Sequence, residues 1–203
     1  MTGSTRVWVG GGVAAVGVLA FVLWTAVRPS VAAAADKPAD KPMVEFTEDG
    51  KLKQPTGYRK WPFIGTPVTP NDLNGGDAAF PEFHIVYVDP DSFAHYEKTG
   101  EFRDGTVIVK ELTSVGGKEA TSGKGYFMGE YSGLETAIKD AKRFKDEPGN
   151  WGYFSFGHKL PLKETAALNA AASCNDCHQK NAKQDYVFTQ YYPVLRAAAP
   201  KKK

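Results

Sequence analysis

Cys174-Asn175-Asp176-Cys177-His178 contains the only two cysteines of the 203-residue chain, separated by two residues and followed at once by a histidine. Each thiol of such a pair adds to one vinyl group of a haem, and the adjacent imidazole reaches the iron as its axial ligand. The motif reads as the attachment site of one c-type haem, with Cys174 and Cys177 as covalent anchors and His178 as the metal ligand. Zinc would ask for a second Cys/His pair at matching spacing, and the sequence has none. A surface disulfide or a redox-active one would also use two cysteines this close, but no thioredoxin-like βαβ pattern surrounds them. The rest of the chain is therefore read as a container for a haem.

Ahead of any globular pattern stand Arg6, an uncharged apolar run over residues 7–27, Arg28 and the small residues up to Ala35. That order is a secretory signal over residues 1–35. The apolar run is also long enough to be an N-terminal membrane anchor, although Gly10, Gly11, Gly12 and Gly17 lower its helix propensity. Cleavage near Ala34 or Ala35 is the favoured expectation. In either case the folded part is expected in the periplasm, where c-type haem is attached. Residues 36–43, rich in Pro, Lys and Asp, read as a flexible spacer. A haem domain is expected over 44–198, with a solvated basic tail over 199–203. Of 25 basic residues, Arg6 and Arg28 belong to the leader, and 23 acids balance the others. A near-neutral domain gives no footprint for nucleic acid.

Within the domain, residues 83–88 are short, apolar and rich in β-formers, and they end at Asp89-Pro90, which predicts a buried strand. Residues 106–113, 125–131 and 151–156 are further strands, and 61–68 is strand-like but broken by Pro62 and Pro67. Turn residues make 69–77 a loop. Asp91 or Ser92 can cap a helix that runs to about Lys98 and stops at Gly100. Leu134, Ile138, Ala141 and Phe144 recur at helical spacing and predict a helix over 134–145. The alanine-rich 163–173 predicts a helix running into the haem motif, continued after His178 toward Leu195 with an interruption at Pro193. The sum is α+β: a mainly antiparallel β-sheet domain with flanking helices and a C-terminal haem-binding helical segment.

What lies opposite His178 decides function. A second protein ligand favours electron transfer, and an open site favours binding or activating a small molecule. No Met or His follows His178, so a sixth ligand would come from Met43, His84, His95, Met128 or His158. Met43 falls in the spacer, His95 on a solvent-facing helix, and Met128 among strand aromatics as a core residue. His84 and His158 are possible ligands but are most simply structural histidines. An open site is the expectation. Lys110 is the unusual residue of its strand. Alternation places it on one face with Ile108 and Leu112, and Val107, Val109 and Glu111 on the other. A lysine there must snorkel to water, pair with a charge, or do chemistry.

Gly57-Tyr58-Arg59, Gly65-Thr66-Pro67-Val68-Thr69-Pro70-Asn71, Tyr87-Val88-Asp89-Pro90, Gly100-Glu101-Phe102-Arg103-Asp104-Gly105-Thr106-Val107, Glu147-Pro148-Gly149-Asn150-Trp151 and the terminal Cys-Asn-Asp-Cys-His occur in an order that resembles the cytochrome P-460 family. The likeness covers essentially all of the domain. It implies a mainly antiparallel homodimer with five-coordinate iron. It also implies that Lys110, at the matching place in its strand, is cross-linked to a meso carbon of the haem. The activity implied is oxidation of hydroxylamine to nitrous oxide or nitric oxide, with the substrate bound trans to His178 and electrons passed to a periplasmic acceptor such as a small cytochrome c.

Proton removal needs a positioned base. In active members a glutamate shortly before the haem motif is implicated, but residues 169–173 contain no acid. Glu164 is the nearest upstream acid and the candidate catalytic residue beside Lys110; a first-turn helix acid is its other reading. The missing acid favours a second reading, a non-enzymatic nitric-oxide-binding cytochrome of the same fold, like the cytochrome c-prime-beta relatives. A plain electron carrier with His84 or His158 as sixth ligand is the third.

Overall fold

Alternation of apolar residues builds a sheet with two buried faces. In the computed structural model, which describes residues 43–201, the strands are β1 (Leu52–Lys53), β2 (Phe63–Gly65), β3 (Phe83–Val88), β4 (Val107–Val115), β5 (Glu119–Ala120), β6 (Gly123–Lys124), β7 (Met128–Lys139), β8 (Trp151–Gly157) and β9 (Thr165–Ala166). Five of them form an antiparallel sheet in the order β2-β3-β4-β7-β8, while β1 pairs with β9 and β5 with β6. The helices are α1 (Pro90–Thr99), α2 (Asn175–Asn181) and α3 (Pro193–Ala198). This is the α+β arrangement expected. The leader at 1–35, the spacer up to residue 42 and the end of the tail lie outside the described residues. No helix among the described residues is long and apolar enough to cross a membrane.

On one face Val107, Val109, Leu134, Ile138, Phe154 and Phe156 pack with Leu52, Tyr58, Phe144 and Ala166. On the other, Val86, Val88, Ile108 and Tyr153 pack with Tyr96, Phe102, Val187, Tyr192 and Leu195. Each fully buried side chain of this size contributes about 1.5–3 kcal/mol. The second face is the one that α1, α3 and the haem-motif segment cover, since Tyr96, Leu195 and the partly buried Cys174 all join its cluster.

The strands at 83–88 and 151–156, and the helix stopped by Gly100, are where the sequence predicts them. The cap of α1 is Asp89 instead of Asp91 or Ser92: its carboxylate accepts from the backbone N–H of Ser92 at 2.9 Å and of Val107 at 2.8 Å. A cap of this kind is worth about 1 kcal/mol, and here it also ties the helix to the start of β4.

Two predicted helices are corrected. Residues 134–139 continue β7, whose register runs Lys110↔Glu135 on one side and Glu135↔Ser155 on the other. A strand between two partners satisfies its backbone on both sides, and that outweighs a helical apolar spacing. Residues 163–173 form β9 and a single 3₁₀ turn at Ala171–Ser173. Backbone of this segment lies along the outer edge of β8, where Asn169 N–H donates to the Tyr153 carbonyl at 2.8 Å and Lys163 N–H to that of Phe156 at 2.8 Å. Covering a bare sheet edge wins over the helix propensity of alanine. Beyond His178 the helix ends at Asn181, and a turn and a 3₁₀ segment precede α3.

Candidate functional site

Asn175, inside the Cys-Asn-Asp-Cys-His motif, is 1% exposed. Its Nδ2 donates to the Trp151 carbonyl at 2.8 Å and to the Pro148 carbonyl at 3.4 Å, which fastens the motif to the start of β8. Cys174 and Cys177 are free thiols, the first half-buried and the second exposed. Burial pushes the Cys174 thiol up.

His178 on α2 is held on three sides. Its ring centroid lies 4.5 Å from that of Tyr153 and 4.6 Å from that of Phe188. Its Nδ1 is 2.7 Å from the carbonyl oxygen of Tyr186. A carbonyl can only accept, so Nδ1 carries the proton and Nε2 keeps its lone pair for a metal. Burial pushes the imidazole below its ordinary pKa, against the pull of the Tyr186 carbonyl. A neutral imidazole with Nε2 unprotonated, two free thiols at CxxC spacing and no second protein ligand on α2 together fit a c-type haem.

Lys110 faces the same side of the sheet. The cross-strand row Val86–Lys110–Glu135–Ser155 follows the row Val88–Ile108–Ala137–Tyr153, whose Tyr153 touches His178, and precedes the row His84–Leu112–Gly133. Successive rows on one face lie roughly 7 Å apart. Lys110 also contributes, with Glu135, to the electrostatic field at both His178 and Cys174. Its Nζ pairs with Oε2 of Glu135 and stands 5.3 Å from the centroid of the Phe80 ring. Glu135 Oε1 meets His158 Nε2 at 2.9 Å, and His158 Nδ1 lies 3.7 Å from Glu82 Oε1. Burial pushes the Glu135 carboxyl up, but the hydrogen bond from His158 and the Lys110 ammonium outweigh it and hold it at about 2. The bond to Glu135 raises His158. Burial, with Lys110 adding to it, pushes His84 down to about 4.

The remaining candidates stand apart from this cluster. Glu164 is exposed at the entry to β9, and its backbone carbonyl accepts from Gln54 N–H at 2.9 Å. Among the described residues no contact joins its side chain to Lys110, Glu135 or His178. Met43 packs on the cluster of the opposite sheet face. Met128, expected in the core, is 48% exposed at the start of β7. His95 is half-buried on α1. Sequence reasoning passes over Glu135, because a helix was expected there. Leu134, Thr136 and Ile138 alternate with Glu135, Ala137 and Lys139, and that alternation is the signal that would place Glu135 beside Lys110.

Compared with known proteins, the chain matches the family model described as Cytochrome P460 over residues 55–189, well over half of its length. No curated protein matches it.

Proposed function

The chain belongs to the cytochrome P460 family and is a c-type haem protein, and from that premise we propose that it is a periplasmic oxidoreductase that oxidises hydroxylamine. Cys174 and Cys177 carry the haem, and His178 ligates the iron through Nε2, with the Tyr186 carbonyl fixing its tautomer. Lys110 bonds through its amine to the macrocycle. When bound, the haem supplies an electrophilic iron that takes electrons from the substrate nitrogen. Two molecules of hydroxylamine release four electrons and four protons in giving one nitrous oxide and one water. The electrons leave for a periplasmic acceptor such as a small cytochrome c, and the protons need acceptors on this chain. A homodimer is the expected assembly.

The observation that carries this reading is the position of Lys110. It stands on the sheet face that holds His178, one row beyond the Tyr153 on which that ring packs, and it is close enough to act on the charge of both His178 and Cys174. A lysine that only snorkelled would point its ammonium to open solvent, whereas Lys110 is 25% exposed and engaged by Glu135.

The test is the optical spectrum of the dithionite-reduced holoprotein, wild type beside Lys110→Ala, followed by hydroxylamine-dependent reduction of a dye. A red-shifted, broadened Soret band in the wild type, absent from the variant, together with dye reduction, is the expected result. An ordinary ferrous c-type spectrum in both proteins overturns the cross-link.

A second reading is nitric-oxide binding without turnover, supported by residues 169–173. They hold no acid, and Asn169 instead donates its Nδ2 to Cys174 Sγ at 3.5 Å. Binding of nitric oxide and hydroxylamine with no dye reduction would favour it.

A further inference from the structure

Beside His178 stands a second ring, and its own stacking leads outward. Residues Thr189–Tyr191 form a single 3₁₀ turn, in which residues three apart eclipse one another. Tyr191 N–H donates to the Phe188 carbonyl at 2.9 Å, and the two rings stack with centroids 5.9 Å apart and planes 19° from parallel. Phe188 in turn lies edge-on to His178, with centroids 4.6 Å apart. The three rings make one column from the His178 imidazole to the surface, where Tyr191 is 59% exposed. A large aromatic left in water beside the haem motif asks for a reason, because tyrosine and arginine are the residues on which docked partners most often bear.

The surroundings of Tyr191 are basic. Gln190 ties this turn to three neighbours: its Oε1 accepts from Lys183 N–H at 3.1 Å, its Nε2 donates to the Asn181 carbonyl at 2.8 Å, and its carbonyl accepts from Arg196 Nη1 at 2.6 Å. Asn181 Nδ2 donates to the Cys177 carbonyl at 2.9 Å. Cys177, Lys180 and Asn181 share one side of α2, at i, i+3 and i+4. Lys180, Lys183, Arg196 and Cys177 are all exposed. Neither Lys180 nor Lys183 has an ion-pair partner among the described residues. The sequence has the same polarity: residues 174–203 hold six Lys or Arg against Asp176 and Asp185, whereas residues 36–173 hold 17 against 21 acids. Asp185 is engaged by Lys139, which leaves Asp176. A near-neutral domain thus carries its positive pole around the haem motif.

We propose that Tyr191, ringed by Lys180, Lys183 and Arg196, is the docking surface for an oxidised one-electron carrier protein with an acidic face, and that the Phe188–Tyr191 stack carries the electron out from His178. The proposal rests on the reading above, in which electrons leave for a periplasmic acceptor, and gives that acceptor a place and a charge. Each transfer moves one electron: it takes iron from ferrous to ferric, reduces the carrier by one, and makes or breaks no bond. An electron crosses packed atoms far faster than a gap filled by solvent, and ring-to-ring contact fills the distance from His178 to the surface. The charges suit a partner that must come and go. Complementary fields raise the rate of encounter and fix its orientation, and electron-transfer pairs manage with contact areas below about 1,200 Å². Tyr191 supplies the apolar centre of such a patch, and the three cations supply its polar rim.

The test mixes chemically reduced holoprotein, by stopped flow, with plastocyanin, an acidic blue-copper protein whose visible band bleaches on reduction. The same plastocyanin with its surface carboxylates amidated is the second probe. Lys180→Glu combined with Lys183→Glu is expected to lower the second-order rate to plastocyanin by about tenfold or more at low ionic strength. The rate to the amidated protein should hold or rise, and high salt should remove most of the difference. Lys60→Glu combined with Lys124→Glu makes the same charge change at exposed positions on other elements, and should have a much smaller effect. Tyr191→Ala should slow transfer several-fold at saturating plastocyanin, and Tyr191→Phe, which keeps the ring, should restore it. Equal rates in wild type and the Lys180/Lys183 variant, or an equal loss in the Lys60/Lys124 variant, overturn the docking surface. Binding to phosphatidylglycerol vesicles that only the Lys180/Lys183 variant loses, with its plastocyanin rate unchanged, would assign those cations to a membrane instead. An unchanged limiting rate in Tyr191→Ala overturns the aromatic route. Hydroxylamine takes no part in these measurements, so the two readings fail separately. A wild type that shows the charge dependence but reduces no dye with hydroxylamine loses the oxidase and keeps the electron port. One that turns hydroxylamine over and ignores the Lys180/Lys183 change keeps the oxidase and loses the port.

Discussion

Nδ1 of His178 lies 2.7 Å from the carbonyl oxygen of Tyr186, and that oxygen is aimed by a left-handed backbone. Asp185 and Tyr186 have φ of 43° and 60°, a conformation that costs an L-residue about 1–2 kcal/mol each. Their side chains hold it in place. The Asp185 carboxylate is shared between Lys139 Nζ and Trp151 Nε1, and the Tyr186 ring lies against the bare Cα of Gly149. The turn that strains the backbone also sets the tautomer of the His178 imidazole.

Asp185→Ala removes the two polar anchors of that turn, to Lys139 and Trp151, and leaves Lys139 Nζ with the Phe102 carbonyl but no carboxylate to pair its charge. It should cost about 1–3 kcal/mol of stability, the range for stranding a partly buried polar group. Because the Nδ1–H to carbonyl bond raises the basicity of a ligating imidazole, the variant's haem should also have a higher reduction potential. Potentiometric titration and urea denaturation of the same preparation separate the effects. A stability loss with an unchanged potential would mean that the turn serves only the fold.

Gly149→Ala approaches the same relationship sterically. A Cβ at Gly149 would meet the Tyr186 ring at 2.3 Å, and the residue has φ of 66°. Overpacking and a left-handed non-glycine residue add to about 2–4 kcal/mol, so the melting temperature should fall by at least several degrees. A melting temperature within a degree of wild type would show that Tyr186 moves aside freely.

On the opposite sheet face, Glu111 is 6% exposed and its carboxylate is gripped by Arg59, with Nη2 at 2.6 Å from Oε1 and Nε at 3.0 Å from Oε2. Arg59→Met strands a buried carboxylate. The loss should be about 2–3 kcal/mol, below that of a fully buried pair because Arg59 itself is largely exposed. Adding Glu111→Gln should recover part of it, and chemical denaturation of the two singles and the double measures the coupling. A loss in the double equal to the sum of the two single losses would show that the pair contributes nothing.

How much of this was legible beforehand follows from local chemistry. The CxxCH motif, the face of Lys110 and the strand at 83–88 were readable because each depends on neighbours in sequence. Glu135 was not. Leu134 and Ile138 are four apart, and that separation returns to the same side of both a helix and a strand, so their spacing fits either structure. Only pairing with β4 and β8 decides it. The alanine-rich 163–173 carries a strong helix propensity that the bare edge of β8 overrides, and no local feature announces an edge. The left-handed turn at 185–186 was invisible for a different reason: neither Asp nor Tyr marks a positive φ as glycine does, and its supports come from Lys139, Gly149 and Trp151. Lys139 and Asp185 are distant in sequence and joined only in the fold.

Acid should expose the burial of His84. Its pKa is held at about 4, below an ordinary value of 6.5, so it contributes stability above pH 6.5 that is lost as the pH falls toward 4. His158 has the opposite sign. Its raised pKa gives a contribution that is fully present below 6.5 and is lost only as the pH climbs through the raised value. Glu135, held at about 2 against 4.5, keeps its contribution until the pH drops below 4.5. Between pH 6.5 and 4.5, of these three groups, only His84 changes the balance, and it should remove about 2–3 kcal/mol. Urea denaturation of wild type and His84→Gln at both pH values should show that much less acid destabilisation in the variant. Equal acid losses in the two proteins would mean that His84 titrates as an exposed histidine does.

The haem motif has its own anchor, and it supplies the most direct test of how the site is assembled. Asn175 is buried, and its side chain spans from the motif to the carbonyls of Trp151 and Pro148, at the point where β8 begins and the Gly149 turn supports Tyr186. Any residue satisfies the spacing of CxxCH at this position, so the chemistry of haem attachment does not ask for asparagine. Asn175→Ala removes two donors and leaves a small void, which should cost about 1–3 kcal/mol. Because α2 carries Cys174, Cys177 and His178, the loss should appear as looser seating of the motif as well as lower stability. Haem content per chain, by pyridine haemochrome against protein concentration, should fall below that of wild type expressed in parallel. Asn175→Asp is the sharper comparison: it keeps the shape but turns a donor toward two carbonyls into an acceptor, so it should be worse than alanine. If Asn175→Asp loads haem as wild type does, the motif is seated by its covalent bonds alone, and the Asn175 contacts form only after the haem is in place.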